Sequence, residues 1–386
     1  MEEWKEYKLK EICLKITDGS HSSPEAIPLG YPMFSVKDML ENRFDYTRCK
    51  HISKDDFLKL KKGDCVPQKG DVLVAKDGSF LKQIFVCKET KEECILSSIA
   101  IFRPNKDIIY PEFLSYLLKS PKVYNYIASN CVSGSALPRI ILKDFKEINV
   151  TIPNISVQKK VLDILLPLDD KIELNRRINE NLEQQAQALF KSWFVDNTNI
   201  ELNYYELGNI TSISAGGDKP SIYSKELTEK CYIPVYSNGI ENEGLYGYTD
   251  LAKINSSSIT ISARGTIGYI CLRTRPYVPI VRLISVIPNI EGLSAEFLYL
   301  WALKQNFSAT GTTQQQLTVP NLKKIPIGIP TKEILEKFNS IVIPIFQLIE
   351  KNKDENMKLA HLRDTLLPKL MSGELKFSEI ETQLNE

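Results

Sequence analysis

The chain has 386 residues, of which 43% are hydrophobic and 25% are charged, and its formal net charge is +1. Such a length exceeds one hydrophobic core and predicts two to three domains. No apolar run approaches the 18 residues of a membrane span, and the charged start MEEWKEYKLK does not resemble a signal peptide, so we expect a cytoplasmic protein with no membrane partner.

Cysteine and histidine are too few and too scattered to indicate a metal site. The eight cysteines include no C-x-x-C pair, and the chain contains only three histidines. We therefore expect reduced and mostly buried thiols, and no bound metal.

The charge is nearly balanced along the whole chain. Residues 1–155 carry 24 Lys and Arg against 21 Asp and Glu, residues 196–330 carry 11 of each, and residues 331–386 carry 8 against 10. A self-sufficient nucleic-acid binder usually shows a strong basic excess. If this protein binds DNA, we expect local patches or partner subunits to supply much of the attraction.

The first 155 residues predict a mixed α/β domain. Short strand-like runs alternate with turn-rich segments, and one helix has proline in its first turn. The predicted elements are, in chain order, an alternating run at 4–9, a polar turn at 17–24, a strand at 31–34, a hairpin that joins 71–74 to 83–87 through Lys76-Asp77-Gly78-Ser79, a helix at 111–118 and a strand at 148–153.

A long helix is predicted between Val157 and Val195. Apolar and small residues recur there at alternating steps of four and three, which is the spacing of a coiled-coil seam. Proline inside a helix normally kinks it, so we expect a regular rod to begin near Pro167 and to extend from Leu168 to Phe194, roughly 40 Å at 1.5 Å per residue. The seam positions are Leu168, Ile172, Asn175, Asn179, Leu182, Ala186, Leu189 and Trp193.

The same seam recurs 177 residues later without a gap. Pro167 coincides with Pro344, and both asparagine pairs coincide as well. A buried Asn pairs best with another Asn and fixes register more than strength, so we expect the two helices to pack on each other. The alternative is a pair of unrelated core helices. The second set of seam positions is Ile345, Ile349, Asn352, Asn356, Leu359, Arg363, Leu366 and Leu370.

The second half of the chain repeats the first. Residues 196–330 follow the element order of 1–155 but carry different turns, which indicates two reading heads of different specificity on a common frame. The alternative is a duplicated structural protein whose loops have drifted. The sequence thus predicts an α/β fold with an internal repeat: mixed α/β domains at 1–155 and 196–330, long helices at 156–195 and 331–373, and a C-terminal tail at 374–386.

Sequence motifs of common enzymes are absent. The chain has no G-x-x-x-x-G-K-[ST] phosphate loop, no G-x-G-x-x-G at a helix start, no G-x-S-x-G elbow, and no Asn/Asp-Pro-Pro-Tyr/Phe turn of the amino-methyltransferases. Asp71, Asp77 and Lys82 are the set from which a nuclease site could be built, but such triples often arise by chance. We expect no catalytic residues.

Candidate contacts to DNA lie in the turns. Arg and Lys suit guanine, Asn and Gln suit adenine, Ser and Thr take either, and glycine lets the backbone approach. The alternative for each residue is a solvated loop side chain. In the first domain the candidates are Ser20, His21, Lys76, Gly78, Ser79, Lys82 and Arg139. In the second they are Lys219, Asn238, Tyr246, Tyr248, Arg264, Thr266, Gln314, Gln315 and Gln316.

Several stretches carry a family resemblance. Residues 169–175 and 188–194 of the first helix, the ending at 362–375, and the turns at 17–21 and 263–268 are together specific. Over nearly its full length, the chain resembles the DNA-specificity subunit of type I restriction-modification systems.

The resemblance implies a non-catalytic subunit with two target-recognition domains. Each domain would read one half of a bipartite double-stranded DNA target, and an antiparallel pair of long helices, related by a pseudo-twofold repeat, would space them. Two methylation subunits would dock on the helices and bring S-adenosylmethionine, and restriction and translocation subunits would bring ATP and Mg²⁺, so this chain itself is expected to hold no cofactor. Residues 215–221 follow the family's Gly-x-x-Pro-Ser loop only loosely, which weakens the prediction of base contacts there.

Apolar side chains that lie off the seam are the candidates for partner binding. They are Leu174, Ile178, Phe190 and Phe194, and the alternative for the two phenylalanines is packing against the chain's own domains. Two other functions remain open at this point. One is a coiled-coil scaffold that never touches DNA, and the other is a single-chain nuclease or methyltransferase.

Overall fold

The computed structural model describes residues 4–78, 81–133, 139–307 and 316–374. The chain divides into two compact units, Met1–Ile172 with Asn356–Glu386, and Glu173–Glu355. Each unit therefore contains one globular domain and parts of two long helices. Within the described ranges, no helix combines the length and the apolar character needed to cross a membrane.

The first unit contains short strands and helices followed by a long helix. Its described strands are β1 (Lys5–Lys8), β2 (Cys13–Asp18), β3 (Tyr31–Phe34), β4 (Lys50–Ile52), β5 (Val72–Ala75), β6 (Ile84–Val86), β7 (Cys94–Ile95), β8 (Ile99–Pro104), β9 (Val132–Ser133), β10 (Arg139–Ile140) and β11 (Asn149–Ile152). Its described helices are α1 (Leu9–Ile12), α2 (Lys54–Lys62), α3 (Pro111–Lys119), α4 (Pro121–Asn130), α5 (Leu142–Lys146) and the start of the long helix α6 (Ile155–Phe194), with a 3-10 turn at Val36–Asp38.

The second unit repeats this order. Its described strands are β12 (Asn203–Glu206), β13 (Thr211–Ala215), β14 (Ile233–Tyr236), β15 (Leu245–Thr249), β16 (Ser258–Ser262), β17 (Ile270–Arg273), β18 (Val278–Pro279), β19 (Leu283–Pro288) and β20 (Pro326–Ile329). Its described helices are α7 (Leu207–Ile210), α8 (Ala295–Ala302), α9 (Val319–Lys323) and the start of the long helix α10 (Lys332–Ser372), with a 3-10 turn at Glu241–Gly244.

The sheets of the two units have the same topology. A four-stranded antiparallel sheet has the order β2-β8-β5-β6 in the first unit and β13-β19-β16-β17 in the second. A three-stranded sheet has the order β4-β3-β7 or β15-β14-β18, and its last pair is parallel. The first strand of each domain pairs with the last, as β1 with β11 and β12 with β20. The predicted internal repeat and both predicted hairpins, β5-β6 and β16-β17, are confirmed.

Local sequence explains where the main elements begin. Pro111 occupies the first turn of α3, where its missing N–H is not needed. Ser294 caps α8 by accepting a hydrogen bond from Phe297 N at 3.0 Å. Every residue of β5 is buried, as expected for a continuous apolar run at the centre of a sheet.

Each unit has a core that includes its portions of the long helices. In the first unit the four-stranded sheet and α3 pack with both helices; the core includes Val72, Phe102, Phe113, Val161, Leu165, Leu367 and Leu370. In the second unit the corresponding sheet and α8 do the same; the core includes Ile259, Ile261, Phe297, Phe190, Phe338 and Phe346. All eight cysteines are free and buried.

The long helices begin within one residue of their predicted bounds, 156 and 331. α6 and α10 have 40 and 41 residues, roughly 60 Å each, and both continue through their prolines. The prediction that each rod begins near Pro167 or Pro344 is therefore wrong. Both prolines are exposed, and the carbonyls that lose a donor belong to Asp163 and Ser340, which are exposed as well, so water can replace the missing hydrogen bond.

The predicted seam is confirmed. Each of its sixteen positions is buried or half-buried. In the second unit Asn352 Nδ2 donates to Asn179 Oδ1 at 2.8 Å, and Asn179 Nδ2 donates to the Ile349 carbonyl at 3.2 Å. In the first unit Asn356 Nδ2 donates to the Ile172 carbonyl at 3.3 Å, which is the same bond with the two helices exchanged.

The helix segments are antiparallel within each unit. In the first unit Arg363 Nη1 lies 2.7 Å from Asp169 Oδ1, three residues before the Ile172 carbonyl that Asn356 contacts. Moving forward along α6 thus means moving backward along α10. The side chains that meet at the seam rule out two unrelated core helices.

Candidate nucleic-acid interface

Two of the predicted side chains in the first unit contact the carboxylate of Asp18, at the end of β2. Lys76 Nζ donates to Asp18 Oδ2 at 2.6 Å, and His21 Nε2 lies 3.3 Å from Asp18 Oδ1. Lys76 is only 5% exposed, whereas the His21 side chain is 76% exposed. The prediction of Lys76 as a surface contact is therefore wrong, because its ammonium is drawn inward by a carboxylate that is distant in sequence.

Ser20 is a second predicted contact that the structure buries. It is 6% exposed, its amide donates to the Ile95 carbonyl at 2.8 Å, and its hydroxyl donates within its own turn. The preceding Gly19 is required by this close approach, since a Cβ there would lie 2.2 Å from the Ile95 oxygen. Gly216 meets the Ile280 oxygen at 2.3 Å in the same way, so the second unit repeats the feature.

Three chain segments meet at Lys76. The Ile140 amide donates to the Lys76 carbonyl at 3.0 Å, and the Lys76 amide donates to the Ser98 carbonyl at 2.9 Å. Next to this junction Arg139 Nε lies 3.1 Å from Asp77 Oδ1, while the Arg139 side chain remains 63% exposed. Arg139 and His21 are therefore accessible cations or hydrogen-bonding groups at the loop end of the first domain.

The second unit builds the same junction with other side chains. The Leu317 amide donates to the Ala263 carbonyl at 2.9 Å, and the Ala263 amide donates to the Arg282 carbonyl at 2.9 Å. Gln316 takes the place of Arg139 and is exposed. The backbone frame is thus shared, and the displayed side chains differ.

The remaining predicted residues of these turns are either open to solvent or outside the described part of the chain. Gly78 has φ +68°, and a Cβ built on it would meet nothing within 4 Å, so this turn is open. Lys82 is exposed. Ser79, Gln314 and Gln315 lie outside the described residues.

Asn238 makes two hydrogen bonds to the turn that follows β16. Its Nδ2 donates to the Arg264 carbonyl at 2.7 Å, and its own carbonyl accepts from Thr266 Oγ1 at 2.7 Å. Gly265, between them, has φ +74°. The hydrogen-bonding groups of Asn238 and Thr266 are therefore used to shape the turn, while the half-buried Arg264 side chain remains the candidate for a base.

Lys219 lies in an aromatic cluster. Its Nζ is 3.4 Å from the centroid of the Tyr223 ring and 5.7 Å from that of Tyr246, which is a cation–π arrangement. Tyr223 Oη donates to the Tyr246 carbonyl at 2.7 Å, and desolvation raises the pKa of Tyr223. Tyr248 is half-buried, and its backbone pairs with Ser224. Lys219 thus lies beside Tyr246, and Tyr248 is on the same face of β15 as Tyr246, because side chains two positions apart on a strand share a face.

Two residues of this surface were missed by sequence reasoning. Arg282 is exposed at the junction and has φ +72°, an uncommon backbone conformation for arginine. Tyr223 supports Lys219 as described above. A lone arginine or tyrosine in a polar loop carries no periodic signal, and a positive φ is not readable from such a residue.

The predicted partner-binding residues divide into two groups. Leu174 and Ile178, four residues apart on α6, are 51% and 36% exposed. Phe190 is 4% exposed, and Phe194 is half-buried; the rings of both lie 5.2 Å from that of Phe297 in the domain. Their prediction as partner contacts is corrected, because these two rings pack in the chain's own core.

The residues considered for a nuclease do not form a site. Asp71 is 1% exposed, and both of its carboxylate oxygens accept from Arg103, at 2.8 and 2.9 Å. Across the described ranges, no group of three or more His, Cys, Asp or Glu side chains is placed to hold a metal ion.

Two domains of one topology, each with a junction that displays different side chains, define a duplicated protein built to present loops. Comparison with known families identifies it further. The model of the type I restriction modification DNA specificity domain matches residues 1–184 and 199–360, so the chain belongs to this family. It is a non-catalytic specificity subunit that recognises DNA sequence and acts with other restriction-modification subunits.

Individual relatives agree with this assignment. The chain is 27% identical to the type I restriction enzyme HindI specificity subunit of Haemophilus influenzae, over 97% of this chain and 100% of that protein. It is 28% identical to the MjaIX specificity subunit of Methanocaldococcus jannaschii, over 71% of each. The crystal structure of a type I S subunit from M. genitalium has the same fold, with a TM-score of 0.55 at 18% identity over 96% of each chain.

Replacement of Lys76 tests its buried role. Lys76→Met leaves Asp18, whose side chain is 11% exposed, without its ammonium partner and should destabilise the protein by about 3 kcal/mol. Lys88→Met removes an ion pair with Asp170 whose side chains are 73% and 68% exposed, and it should cost less than about 1 kcal/mol. Urea unfolding of the two variants measures the difference, and equal losses would contradict a structural role for Lys76.

Proposed function

We propose that each recognition domain reads one half of a bipartite DNA target. The observation that supports this is the repeated junction. The same backbone hydrogen bonds form in both domains, but the side chains at the junction differ. Two readers of different sequences need such a common frame with altered contacts. The side chains at corresponding positions are Lys76, Ser98 and Arg139 in the first domain and Ala263, Arg282 and Gln316 in the second.

The accessible residues at each junction are the proposed contacts. In the first domain these are His21 and Arg139, and in the second they are Arg264, Arg282 and Gln316. Arginine can bind guanine through two hydrogen bonds, and glutamine can do the same with adenine. The open turns at glycines 78 and 265 allow the backbone to approach a phosphate or a base edge.

Single substitutions should separate the two half-sites. In the complete complex with its methylation subunits, Arg139→Ala should weaken selectivity in one half only, and Arg282→Ala in the other. Loss of a bidentate contact corresponds to about 1–3 kcal/mol, or roughly 5- to 150-fold. Methylation mapping on a duplex library randomised in both halves measures this.

Lys337→Ala provides the control, because it removes one exposed positive charge from α10. It should leave both half-sites unchanged. If either arginine substitution altered both halves equally, the two domains would not be independent readers.

We also propose that the exposed faces of the long helices dock two methylation subunits. Support comes from Leu174 and Ile178, which are exposed apolar neighbours on one face of a helix whose seam is already occupied. S-adenosylmethionine is then held by those subunits, and ATP and Mg²⁺ by restriction and translocation subunits. The sequence itself has no phosphate loop for such a nucleotide.

Charged residues on this face should break the complex. Leu174→Glu with Ile178→Glu should abolish co-purification of the methylation subunits and leave the circular dichroism of the chain unchanged, since neither side chain is in the core. Leu251→Glu is the matched control, because Leu251 is 76% exposed in the second domain, and it should retain the complex. An intact complex after both helix substitutions would exclude this face.

The long helices are further proposed to set the gap between the half-sites. α6 connects β11, the last strand of the first domain, to β12, the first strand of the second, and α10 follows the last strand of the second domain. A change in helix length therefore acts on spacing and leaves every junction residue in place.

Matched insertions in the two helices test whether helix length sets this gap. Four residues inserted after Glu180, and four after Met357 at the same offset, lengthen each helix by roughly 6 Å and rotate it by about 40° beyond a full turn. At roughly 3.4 Å per base pair the preferred spacer should grow by one or two base pairs, with both half-site sequences retained. Methylation mapping with randomised spacers measures the preferred spacer length. An active variant with an unaltered preference would mean that helix length does not set the gap between the half-sites.

A further inference from the structure

The turn between β14 and β15 has an unusual backbone. Asn242, Glu243 and Gly244 are three consecutive residues with positive φ, at 48°, 56° and 81°. Only glycine adopts this conformation readily, so two of the three residues are held there by their surroundings. The Ser237 amide closes the turn by donating to the Gly244 carbonyl at 2.8 Å.

Glu243 is held from two directions. Lys353 Nζ, on α10, donates to Glu243 Oε1 at 2.8 Å. Arg273, on β17, donates from Nη2 to the Glu243 carbonyl at 2.6 Å and from Nη1 to Oε2 at 3.3 Å. Burial opposes the charge of Lys353, but Glu243 and Glu350 outweigh it and raise the pKa of the lysine, so the link to the helix carries full charge at neutral pH.

Arg273 fixes the turn against the sheet. It is 4% exposed, its guanidinium lies 3.6 Å from the centroid of the Tyr236 ring, and Nε donates to Thr260 Oγ1 at 3.1 Å. A buried arginine needs a countercharge, and Glu243 supplies it. The strained turn is therefore tied to β17 through Arg273, and its position cannot vary independently of that strand.

Asn238 connects the same turn to the loop at 263–268, which is called the reading loop below. This residue lies two positions after the end of β14, donates to the Arg264 carbonyl and accepts from Thr266, both at 2.7 Å. Hydrogen bonds and the backbone between them thus connect Lys353 on the helix, through Glu243 and the turn, to the loop at 263–268. Both ends lie in the second unit.

We propose that Glu243 is a positioning residue through which α10 fixes the reading loop of the second domain, so that selectivity for the second half-site depends on the Lys353–Glu243 contact. This inference rests on the proposed function, because it assumes that the loop at 263–268 reads DNA. It adds a specificity-determining pair that need not touch DNA. Networks of hydrogen bonds and ion pairs between rigid elements are the physical means by which such positions influence a distant site.

The test variant is Lys353→Met in the complete complex. It removes the Lys353–Glu243 contact and leaves the buried Arg273 with its countercharge, which Glu243→Ala would take away. We expect a tenfold or greater loss of preference between the correct second half-site and its single mismatches, measured by methylation of a randomised duplex library. Selectivity at the first half-site and co-purification of the methylation subunits should be unchanged.

Two controls make the outcome specific. Lys351→Met removes a nearby exposed charge on the same helix and should leave both half-sites unaffected. Lys353→Arg can keep an ion pair with Glu243 and should retain second-half selectivity, which assigns a loss in Lys353→Met to this contact. Unchanged second-half selectivity in Lys353→Met, or equal losses in both halves, would overturn the inference.

Arg264→Ala separates this inference from the proposed function. If Arg264→Ala reduces second-half selectivity and Lys353→Met does not, the loop reads DNA and only the positioning role of Glu243 fails. If neither substitution affects the second half-site, the loop is not a reader, and both the inference and the proposed contact fail.

Discussion

The structure depends on polar groups that are paired inside an apolar seam. Asn179 sits among leucine, isoleucine and alanine positions of two helices, where an unpaired amide is costly, and it is satisfied by Asn352 and by a backbone carbonyl of α10. Shifting one helix by a single residue would break both bonds. The asparagines therefore select one register at some expense in stability.

This register determines what each domain packs against. In the second unit it brings Phe190 of α6 and Phe338 of α10 into the same core, and in the first it brings Leu165 and Leu370 together. Helix register and domain packing are thus satisfied by one arrangement. Consistency of this kind between local and tertiary constraints is typical of a sequence that specifies a single fold.

The frame could be predicted from the sequence, and the reason is periodicity. The seam, the offset of 177 residues and the hairpins all follow from repeated spacing of apolar residues, which depends on local geometry alone. The helices continue through Pro167 and Pro344, where an interruption was expected, because both prolines face solvent and a lost hydrogen bond is inexpensive there. Burial of Lys76 could not be predicted, since it depends on Asp18, a partner distant in sequence. For Phe190 the sequence left two alternatives open, and its contact with the distant Phe297 decides for packing in the chain's own domain. Arg282 was missed because isolated loop residues have no pattern.

The near-neutral charge has a structural counterpart in the loops. Lys76 is neutralised by Asp18, Arg139 by Asp77, and the charge of Lys219 lies over the ring of Tyr223. Cations that are already paired release less energy on meeting phosphate, so non-specific attraction to DNA is kept low. Recognition is then left to a few accessible groups.

The burial of all eight cysteines has a practical consequence. Desolvation raises the pKa of Cys13 and Cys94 to about 12 and that of Cys87 to about 11, so these thiols are almost entirely protonated at neutral pH and are poor nucleophiles. The natural cysteines are therefore expected to react slowly with maleimides. A single cysteine introduced at an exposed position of each domain would accept a fluorophore or a spin label without removal of any natural thiol, and the distance between the two domains could be followed in solution as DNA and partner subunits bind.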